Sequence, residues 1–336
     1  MCIRDSLNIG NNVQIAGGSG VIKHIPDNKK AVTGNLCSAL QYQIILEDLG
    51  HTVELTNRYF KQDAEVLIAI NADKNNSDIR KFHSDKPQSK IVLILSGTDI
   101  YPEPSAKSID SMEVGNVLVL LQSHGIDQVP LRYRNKSTII YQSIEKLSVD
   151  SERSKSDSEF KVVLISNIRS VKDPLIASRA CRLISPASKL KITHVGYCLD
   201  EELGSELTRE NKSNIRYEWV GGLSKVEAMT ILSESDVLLI TSQHEGAGRV
   251  VGEAIQLGVP IISTNNLGVV GILGNDYEGY YPVGDAKALS DILAKAEQDK
   301  SFLIRLNVHC QNRSSLFDIE EEKKNWEQLI NDFSII

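Results

Sequence analysis

Two glutamates with seven residues between them, Glu245 and Glu253, follow a short apolar run at residues 237–240. The run has the length and composition of a buried parallel strand, and Gly246 and Gly248 interrupt it before a helical pattern begins. A strand, a glycine turn and a helix start are therefore predicted to meet at Glu245. One carboxylate is expected in the loop and the other inside the helix, so that both can flank one ligand.

The turn between the two glutamates has the chemistry of an anion-binding site. Glycines let the backbone approach a ligand closely, and a helix start presents unpaired N–H groups and the positive end of the helix dipole. The candidate groups that bind a phosphate or a sugar hydroxyl are Gly246, Ala247, Gly248, Arg249 and Val250. The less specific interpretation is that Glu253 pairs with Arg249 on an exposed helix face, a contact that contributes about 0.3–0.5 kcal/mol.

The spacing Glu-Gly-x-Gly, four residues, Glu-Ala, and then Gly258-Val-Pro resembles the donor-sugar motif of the retaining GT-B glycosyltransferases of group 1, or family 4, type. In that family the first glutamate lies beside the donor sugar and the loop amides bind sugar hydroxyls and diphosphate. The second glutamate binds the ribose of the nucleotide. The resemblance implies these roles for Glu245, for residues 246–250 and for Glu253.

A basic segment at residues 166–174 follows a predicted strand. At this position the family carries Gly-Arg-Leu, three residues and then a lysine, and the arginine and lysine hold the diphosphate. Lys172 aligns with the lysine, Asn167 takes the place of the arginine, and Arg169 is a candidate substitute. The resemblance implies that Lys172 and Arg169 stabilise the departing diphosphate without a metal ion; the alternative is two solvated loop cations.

The elements around these motifs form two β–α series, which predict α/β architecture with doubly wound parallel sheets. The predicted strands are 12–16, 51–55, 65–70, 90–95, 117–121 and 137–140, then 160–165, 191–195, 216–220, 237–240 and 260–263. Residues 148–159 are polar and without period, as in a linker. By resemblance this is a GT-B fold, with Rossmann-like domains at residues 7–147 and 160–315 that face a central cleft.

Two helices have clear patterns. Residues 34–49 place Leu36, Leu40, Ile44 and Ile45 at helical spacing, and Gly50 is expected to end that helix. Residues 318–333 form a charged amphipathic pattern with an apolar side, which consists of Trp326, Leu329 and Ile330. The resemblance implies that this C-terminal segment, residues 316–336, packs on the N-terminal domain.

A closer resemblance, to the selenosugar synthases of selenoneine biosynthesis, extends over nearly the whole chain from Gly34. Its landmarks are Gly34-Asn35, residues 95–101, 120–122, 141–143 and 172–174, Glu245-Gly246, Glu253-Ala254 and residues 271–280. The resemblance implies a UDP-sugar as donor and selenophosphate, a small anion, as acceptor. It also implies an acceptor side formed by Gly34, Asn35, Asn71, Thr98 and Asp99.

This chain departs from that branch at two places. Where the branch has His-Ala-Arg-Arg, residues 71–74 are Asn-Ala-Asp-Lys, which removes positive charge from the side where an anionic acceptor enters. Where the branch has Glu-Gly-Gly-Ala-Asn, residues 245–249 end in arginine. The alternatives are therefore a glycosyltransferase with another small acceptor, a non-catalytic protein that binds nucleotide sugars, or a phosphorylase or epimerase on the same fold.

The composition argues against several classes of binding partner. The 336 residues suffice for two domains, and the net charge of −7 argues against a nucleic-acid partner. Five scattered cysteines without metal-ligand spacing indicate free thiols in a reducing compartment and no metal site. No apolar run reaches the roughly 18–20 residues of a membrane span, so we expect a cytoplasmic enzyme with no cofactor besides its UDP-sugar substrate. Residues 1–6 back-translate to a sequence that resembles a sequencing adapter, which predicts an assembly scar.

Overall fold

The structure is a computed structural model that describes residues 12–17, 34–56, 58–59, 64–145, 158–246 and 248–332. The predicted scar at residues 1–6, most of the predicted linker and Ala247 lie outside these residues. The chain divides into two compact units. The first runs up to Ser143 and takes in the chain again from Asp318, and the second is Ile144–Phe317.

The first unit is a parallel sheet with helices. Its elements are β1 (Asn12–Gly17), α1 (Gly34–Asp48), β2 (Thr52–Thr56), β3 (Val66–Ile70), α2 (Asn76–Asp85), β4 (Lys90–Leu95), α3 (Ala106–Val114), β5 (Val117–Leu120), α4 (Gly125–Gln128), β6 (Ser137–Ile139) and α12 (Ile319–Asp332). The described strands lie in the order β2-β1-β3-β4-β5-β6, and every neighbouring pair is parallel. The order reverses between β1 and β3.

The second unit repeats this plan. Its elements are β7 (Phe160–Ile165), α5 (Leu175–Cys181), β8 (Leu190–Val195), α6 (Glu201–Ser213), β9 (Tyr217–Gly221), α7 (Lys225–Ser233), β10 (Val237–Ile240), α8 (Arg249–Gln256), β11 (Ile261–Thr264), α9 (Leu267–Leu273), β12 (Tyr280–Tyr281), α10 (Ala286–Gln298) and α11 (Lys300–Gln311). Its described strands lie in the order β12-β11-β10-β7-β8-β9, again all parallel. The order reverses between β7 and β10.

Burial explains why these segments are strands. All five residues of β3 and all four of β10 are buried, as are five of the six residues of β4. A strand covered on both faces by helices needs a continuous apolar run, and these sequences supply one. The prediction of two doubly wound parallel sheets is therefore confirmed, and the strand bounds agree within one or two residues.

The two-residue strand β12 was not predicted. It pairs with β11 through Ser263 opposite Tyr280 and Thr264 opposite Tyr281. Two residues are too short to show a period-2 pattern, so only the pairing with β11 reveals this strand.

The helix α1 is present as predicted, but of its four predicted apolar positions only Ile45 is buried. Leu36, Leu40 and Ile44 are 38%, 44% and 65% exposed. The buried residues of the helix are Ser38, Ala39, Tyr42, Ile45 and Leu46. Both sets have helical spacing, and packing selects the second because Tyr42 and its neighbours face the sheet and α12. As predicted, Gly50 follows the helix end, with a positive φ of 93°.

The C-terminal helix α12 packs in the first unit, against α1. The indole of Trp326 is fully buried and its ring centroid lies 4.9 Å from that of Tyr42. Glu322 is also buried, and its carboxylate accepts hydrogen bonds from Ser143 N at 2.7 Å and from Gln41 Nε2. Burial raises the pKa of this carboxyl group, and the two donors oppose that shift.

The buried face of α1 can be tested with one substitution at two positions. Leu46→Ala should lower the free energy of unfolding by about 2–5 kcal/mol because Leu46 is fully buried. Leu40→Ala, on the exposed side of the same helix, should change it by less than about 0.5 kcal/mol. Chemical denaturation of both variants measures the difference. Equal losses would restore the face that the sequence pattern suggested.

Candidate active site

The candidate donor site lies where the strand order of the second unit reverses. In open α/β sheets, ligands bind beyond the carboxyl ends of the strands at such a reversal, because the two loops leaving it turn to opposite faces of the sheet. Here the two loops follow β7 and β10. The first contains Lys172 and the second contains Glu245, so both predicted residues lie at the reversal.

Lys172 and Glu245 contact each other directly. Lys172 Nζ donates to Glu245 Oε1 at 2.6 Å, and Ser242 Oγ donates to the same oxygen at 2.6 Å. The two side chains are 23% and 13% exposed, respectively. Among the described residues, no hydrogen-bond donor reaches Glu245 Oε2. One carboxylate oxygen is therefore fixed by the protein, and the other can accept from a ligand.

Further hydrogen bonds tie the two loops together below this pair. Gln243 N donates to Val171 O at 2.9 Å, and Thr241 Oγ1 donates to Lys172 O at 2.6 Å. The next residue, Asp173, has a left-handed backbone with φ of 40° and ψ of 59°. Non-glycine residues rarely adopt this conformation. At Asp173 it produces a sharp turn of the backbone directly after Lys172.

A third segment supports Glu245 from the opposite side. The start of α9 approaches so closely that a Cβ atom on Gly268 would lie 2.0 Å from Glu245 O. Asn266 caps this helix by accepting from Val269 N at 3.2 Å, and its Nδ2 donates to Thr264 Oγ1 at 3.0 Å. Thr264 Oγ1 in turn donates to Ser242 O at 2.6 Å. Only glycine at position 268 permits this approach.

The glycine turn leads into α8 as predicted. Gly248 precedes the helix in a left-handed conformation with φ of 51°, and no side chain caps the helix start. Arg249 and Val250 form its first residues and are partly exposed, whereas Gly248 is buried. A helix start without a side-chain cap can offer backbone N–H groups and the positive end of the helix dipole to a ligand.

The less specific interpretation of Glu253, a pair with Arg249 on an exposed helix face, is wrong. Glu253 is 5% exposed, and its Oε1 accepts a hydrogen bond from Lys225 Nζ, at the start of α7. Residues 251–255 of α8 are all buried, and the Glu253 carboxylate meets Lys225 where α8 contacts α7. A buried, lysine-bound carboxylate is a better candidate for ligand binding than a solvated one.

In the basic loop at residues 166–174, only one of the two predicted cations contacts another site residue. Asn167, at the position of the family arginine, has a structural role, since its Oδ1 accepts from Tyr197 N at 3.0 Å. Arg169 is exposed and its carbonyl oxygen accepts from Lys172 N at 3.0 Å. The structure thus brings Lys172 to Glu245 and leaves Arg169 in the same turn with its side chain in solvent.

The acceptor-side candidates lie in the first unit, after β3 and β4. Asn71 has a positive φ of 78° and its Nδ2 donates to Thr98 Oγ1 at 3.1 Å. Asn71 is buried and Thr98 is exposed. Gly34 and Asn35 begin α1, the helix that follows β1 in the chain, and β1 is a neighbour of β3 in the sheet. Ser38 Oγ donates to Gly34 O at 3.0 Å.

Asp99 does not face a ligand as expected. Its side chain has no exposed surface, and its carboxylate accepts from the backbone N–H groups of Ala72 at 2.9 Å, Gly97 at 2.8 Å and Ser96 at 3.3 Å. Burial raises the pKa of this carboxyl group, and the three donors oppose that shift. Asp99 therefore holds the loops after β3 and β4 together.

One buried residue beneath the loop that carries Lys172 had no sequence signal. His194 in β8 is fully buried, and its Nε2 donates to Ser166 O at 2.9 Å, while its Nδ1 accepts from Tyr217 OH at 2.6 Å. Ser166 begins the loop that carries Lys172. Burial lowers the pKa of His194 to about 4, so the ring is neutral at physiological pH. Lys225 and Ser242 were likewise missed, because only folding brings them to the glutamates.

No group of three or more His, Cys, Asp or Glu side chains in the residues that the structure describes is placed to hold a metal ion. None of the helices in the same residues is long and apolar enough to cross a membrane.

Known glycosyltransferase sequences resemble this chain. The family described as "Glycosyl transferases group 1" matches residues 145–314, about half of the chain. N-acetyl-alpha-D-glucosaminyl L-malate synthase of Bacillus anthracis is 25% identical over 249 residues, which cover 68% of this chain and 63% of that protein. Amylovoran biosynthesis glycosyltransferase AmsK of Erwinia amylovora is 24% identical over 153 residues, 43% of this chain and 37% of that one. The chain thus spans less than two thirds of these curated relatives.

Solved structures share the fold. Anabaena Alr3699/HepE in complex with UDP and glucose has a TM-score of 0.74 at 14% identity, and the match covers 96% of this chain and 100% of that one. The pneumococcal O-GlcNAc transferase GtfA in complex with UDP and GlcNAc has a TM-score of 0.62 at 14% identity, over 80% and 56% of the two chains. Together with the two parallel α/β units, these matches confirm the GT-B fold predicted from the sequence.

The buried histidine predicts how stability depends on pH. Burial lowers the pKa of His194 from an ordinary value near 6.5 to about 4, so the unfolded chain binds more protons between these two pH values. Stability should therefore fall as the pH drops from about 6.5 to 4, by up to about 3 kcal/mol from this residue. His194→Gln, which cannot titrate, should lose less stability than the wild type when denaturation at pH 7 and pH 4.5 is compared. Equal losses in both proteins would contradict this assignment.

Proposed function

Because the chain belongs to the group 1 glycosyl transferases, we propose that it transfers a sugar from a UDP-sugar to a small anionic acceptor. The observation that carries this proposal is the Lys172–Glu245 contact at the strand reversal, beside the uncapped start of α8. A cation, a carboxylate with one oxygen held by the protein, and a helix start without a side-chain cap lie together there. These are the groups that a sugar diphosphate needs: donors for its phosphates and an acceptor for its hydroxyls.

Lys172 is proposed to hold the diphosphate. Its ammonium group has three N–H donors, and the contact with Glu245 uses one of them. Negative charge on the diphosphate grows as the bond to the sugar breaks, so a fixed cation stabilises the transition state more than the bound substrate. The α8 start adds its N–H groups and dipole, and Arg169 is a second cation in the same turn. With these groups the proposed reaction needs no metal ion.

We propose that Glu245 binds the donor sugar and that Glu253 binds the nucleotide. Glu245, on the loop, would accept hydrogen bonds from donor-sugar hydroxyls through Oε2, because Lys172 and Ser242 already hold Oε1. Glu253, deeper in α8, would accept from the ribose. We propose a retaining outcome, which is what the family resemblance implies. A UDP donor is supported by HepE and GtfA, whose structures share this fold and contain UDP.

The acceptor class is supported by a relative and by the loop after β3. The name of N-acetyl-alpha-D-glucosaminyl L-malate synthase specifies L-malate, a small dicarboxylate, as acceptor. Selenophosphate, which the sequence resemblance suggests, is also a small multivalent anion. Asp73, the acidic residue in residues 71–74, accepts a hydrogen bond from Ser105 Oγ at the start of α3. That bond holds the carboxylate in place beside α3, while Lys74 is exposed.

Lys172→Ala should lower kcat by about 10²-fold or more and change KM less, because the lysine acts most strongly in the transition state. Steady-state kinetics with a UDP-sugar measure both constants. Lys287→Ala is the matched control, since Lys287 pairs with an exposed aspartate on α10 in the same unit. A raised KM with unchanged kcat would show that Lys172 only assists binding.

The acceptor is tested by mass spectrometry of products from UDP-glucose and UDP-N-acetylglucosamine with L-malate, selenophosphate or the neutral acceptor glycerol. We expect glycosides of the anions. Asp73→Asn keeps an acceptor for Ser105 and removes one negative charge, so it should raise activity with the anions about two- to tenfold at low salt and leave glycerol unaffected.

Three outcomes separate the alternatives. Products from glycerol alone would reject the anionic acceptor and keep the glycosyltransferase. UDP binding without any product or UDP release would indicate the non-catalytic alternative. Turnover that depends on inorganic phosphate would indicate a phosphorylase.

A further inference from the structure

A second lysine–glutamate contact lies at the other end of the candidate donor site. Lys225 is the first residue of α7, and its Nζ donates to Glu253 Oε1 on α8. The backbone at Lys225 is well fixed, because Ser224 caps the helix and forms a reciprocal capping box with Glu227. The lysine stem therefore starts from a rigid position beside α8.

The exposure of the two partners is very unequal. The Glu253 side chain is 7% exposed, whereas that of Lys225 is 56% exposed. A carboxylate this far removed from water is costly unless a cation or several donors compensate it. Within the described part of the chain, Lys225 is the cation that contacts Glu253. The lysine needs the pair less than the glutamate does, since most of its surface is already solvated.

The contact leaves one oxygen of Glu253 available. Lys225 binds Oε1, and among the described residues no hydrogen-bond donor reaches Oε2. A rotating carboxylate would offer a ribose hydroxyl either oxygen in many orientations. With Oε1 held, the carboxylate plane is fixed and Oε2 has a single direction, which lowers the entropy lost when a ligand binds.

We propose that Lys225 is a positioning residue that orients Glu253 to recognise the hydroxyl groups of the nucleotide ribose. This inference rests on the proposed ribose role of Glu253. Lys225 keeps its hydrogen bond to Oε1 when the nucleotide binds, and Oε2 accepts from the ribose. The lysine therefore determines how strongly the protein prefers a ribonucleotide over a nucleotide that lacks the hydroxyls. In the opposite arrangement, Lys225 would block Glu253 until the nucleotide displaced it. Removal of the lysine would then strengthen nucleotide binding.

The test is calorimetric titration with UDP and with 2′,3′-dideoxy-UDP, which lacks both ribose hydroxyls. Wild type should bind UDP at least about tenfold more tightly, as expected for hydrogen bonds to a charged group. Lys225→Met should weaken UDP binding about tenfold, leave dideoxy-UDP nearly unchanged, and so remove most of the preference. Lys225→Arg should restore it, because arginine can also donate to Oε1. Lys287→Met, which removes a lysine from an exposed ion pair, should behave as wild type.

The preference ratio separates positioning from a structural role. A lysine that only stabilised the fold would lower the melting temperature in Lys225→Met without changing the ratio of the two affinities, and that result would overturn the inference. Tighter UDP binding by Lys225→Met would overturn it too, in favour of displacement. If wild type bound no UDP, the proposed function would fail and the inference with it. UDP binding with an unchanged ratio would remove only the inference.

Discussion

The candidate donor site depends on one contact, between the Lys172 ammonium group and the largely buried Glu245 carboxylate. The reversal of strand order in the second unit makes this contact possible. β7 and β10 are neighbours in the sheet, so the loops after them leave the same edge side by side. Lys172 and Glu245 meet there at 2.6 Å although 73 residues separate them. The strained backbone at Asp173 and the close approach of Gly268 both maintain this contact.

The two glutamates of the motif have the same local arrangement. Glu245 is paired with Lys172 and Glu253 with Lys225, each through Oε1 and each with a lysine that is more exposed than its partner. Such a pair compensates a buried charge while leaving one carboxylate oxygen for a ligand. The physical reason is that a sugar or ribose hydroxyl needs a strong acceptor, and a cation beside a carboxylate lowers the cost of removing that acceptor from water.

The first unit uses a buried carboxylate differently. Asp99 has no lysine partner among the described residues, and three backbone N–H groups satisfy it instead. Its role is therefore to fix the shape of the loops that carry Asn71 and Thr98. In the same region, the carboxylate of Asp73, which would repel an anionic acceptor, accepts a hydrogen bond from Ser105.

The sequence by itself determined the element types, the two parallel sheets and the segments that carry the site, because strand composition, glycine turns and motif spacing are local properties. It indicated Lys172, Glu245 and Glu253 in this way. Only the tertiary structure decided the partners, since Lys225 and Glu253 are 28 residues apart on different helices and meet through packing alone. Packing also decided the buried face of α1, where two sets of residues had equal helical spacing, and the burial of Asp99, whose donors come from two separate loops. Periodicity cannot distinguish such cases, because it describes one element at a time while burial depends on what covers that element.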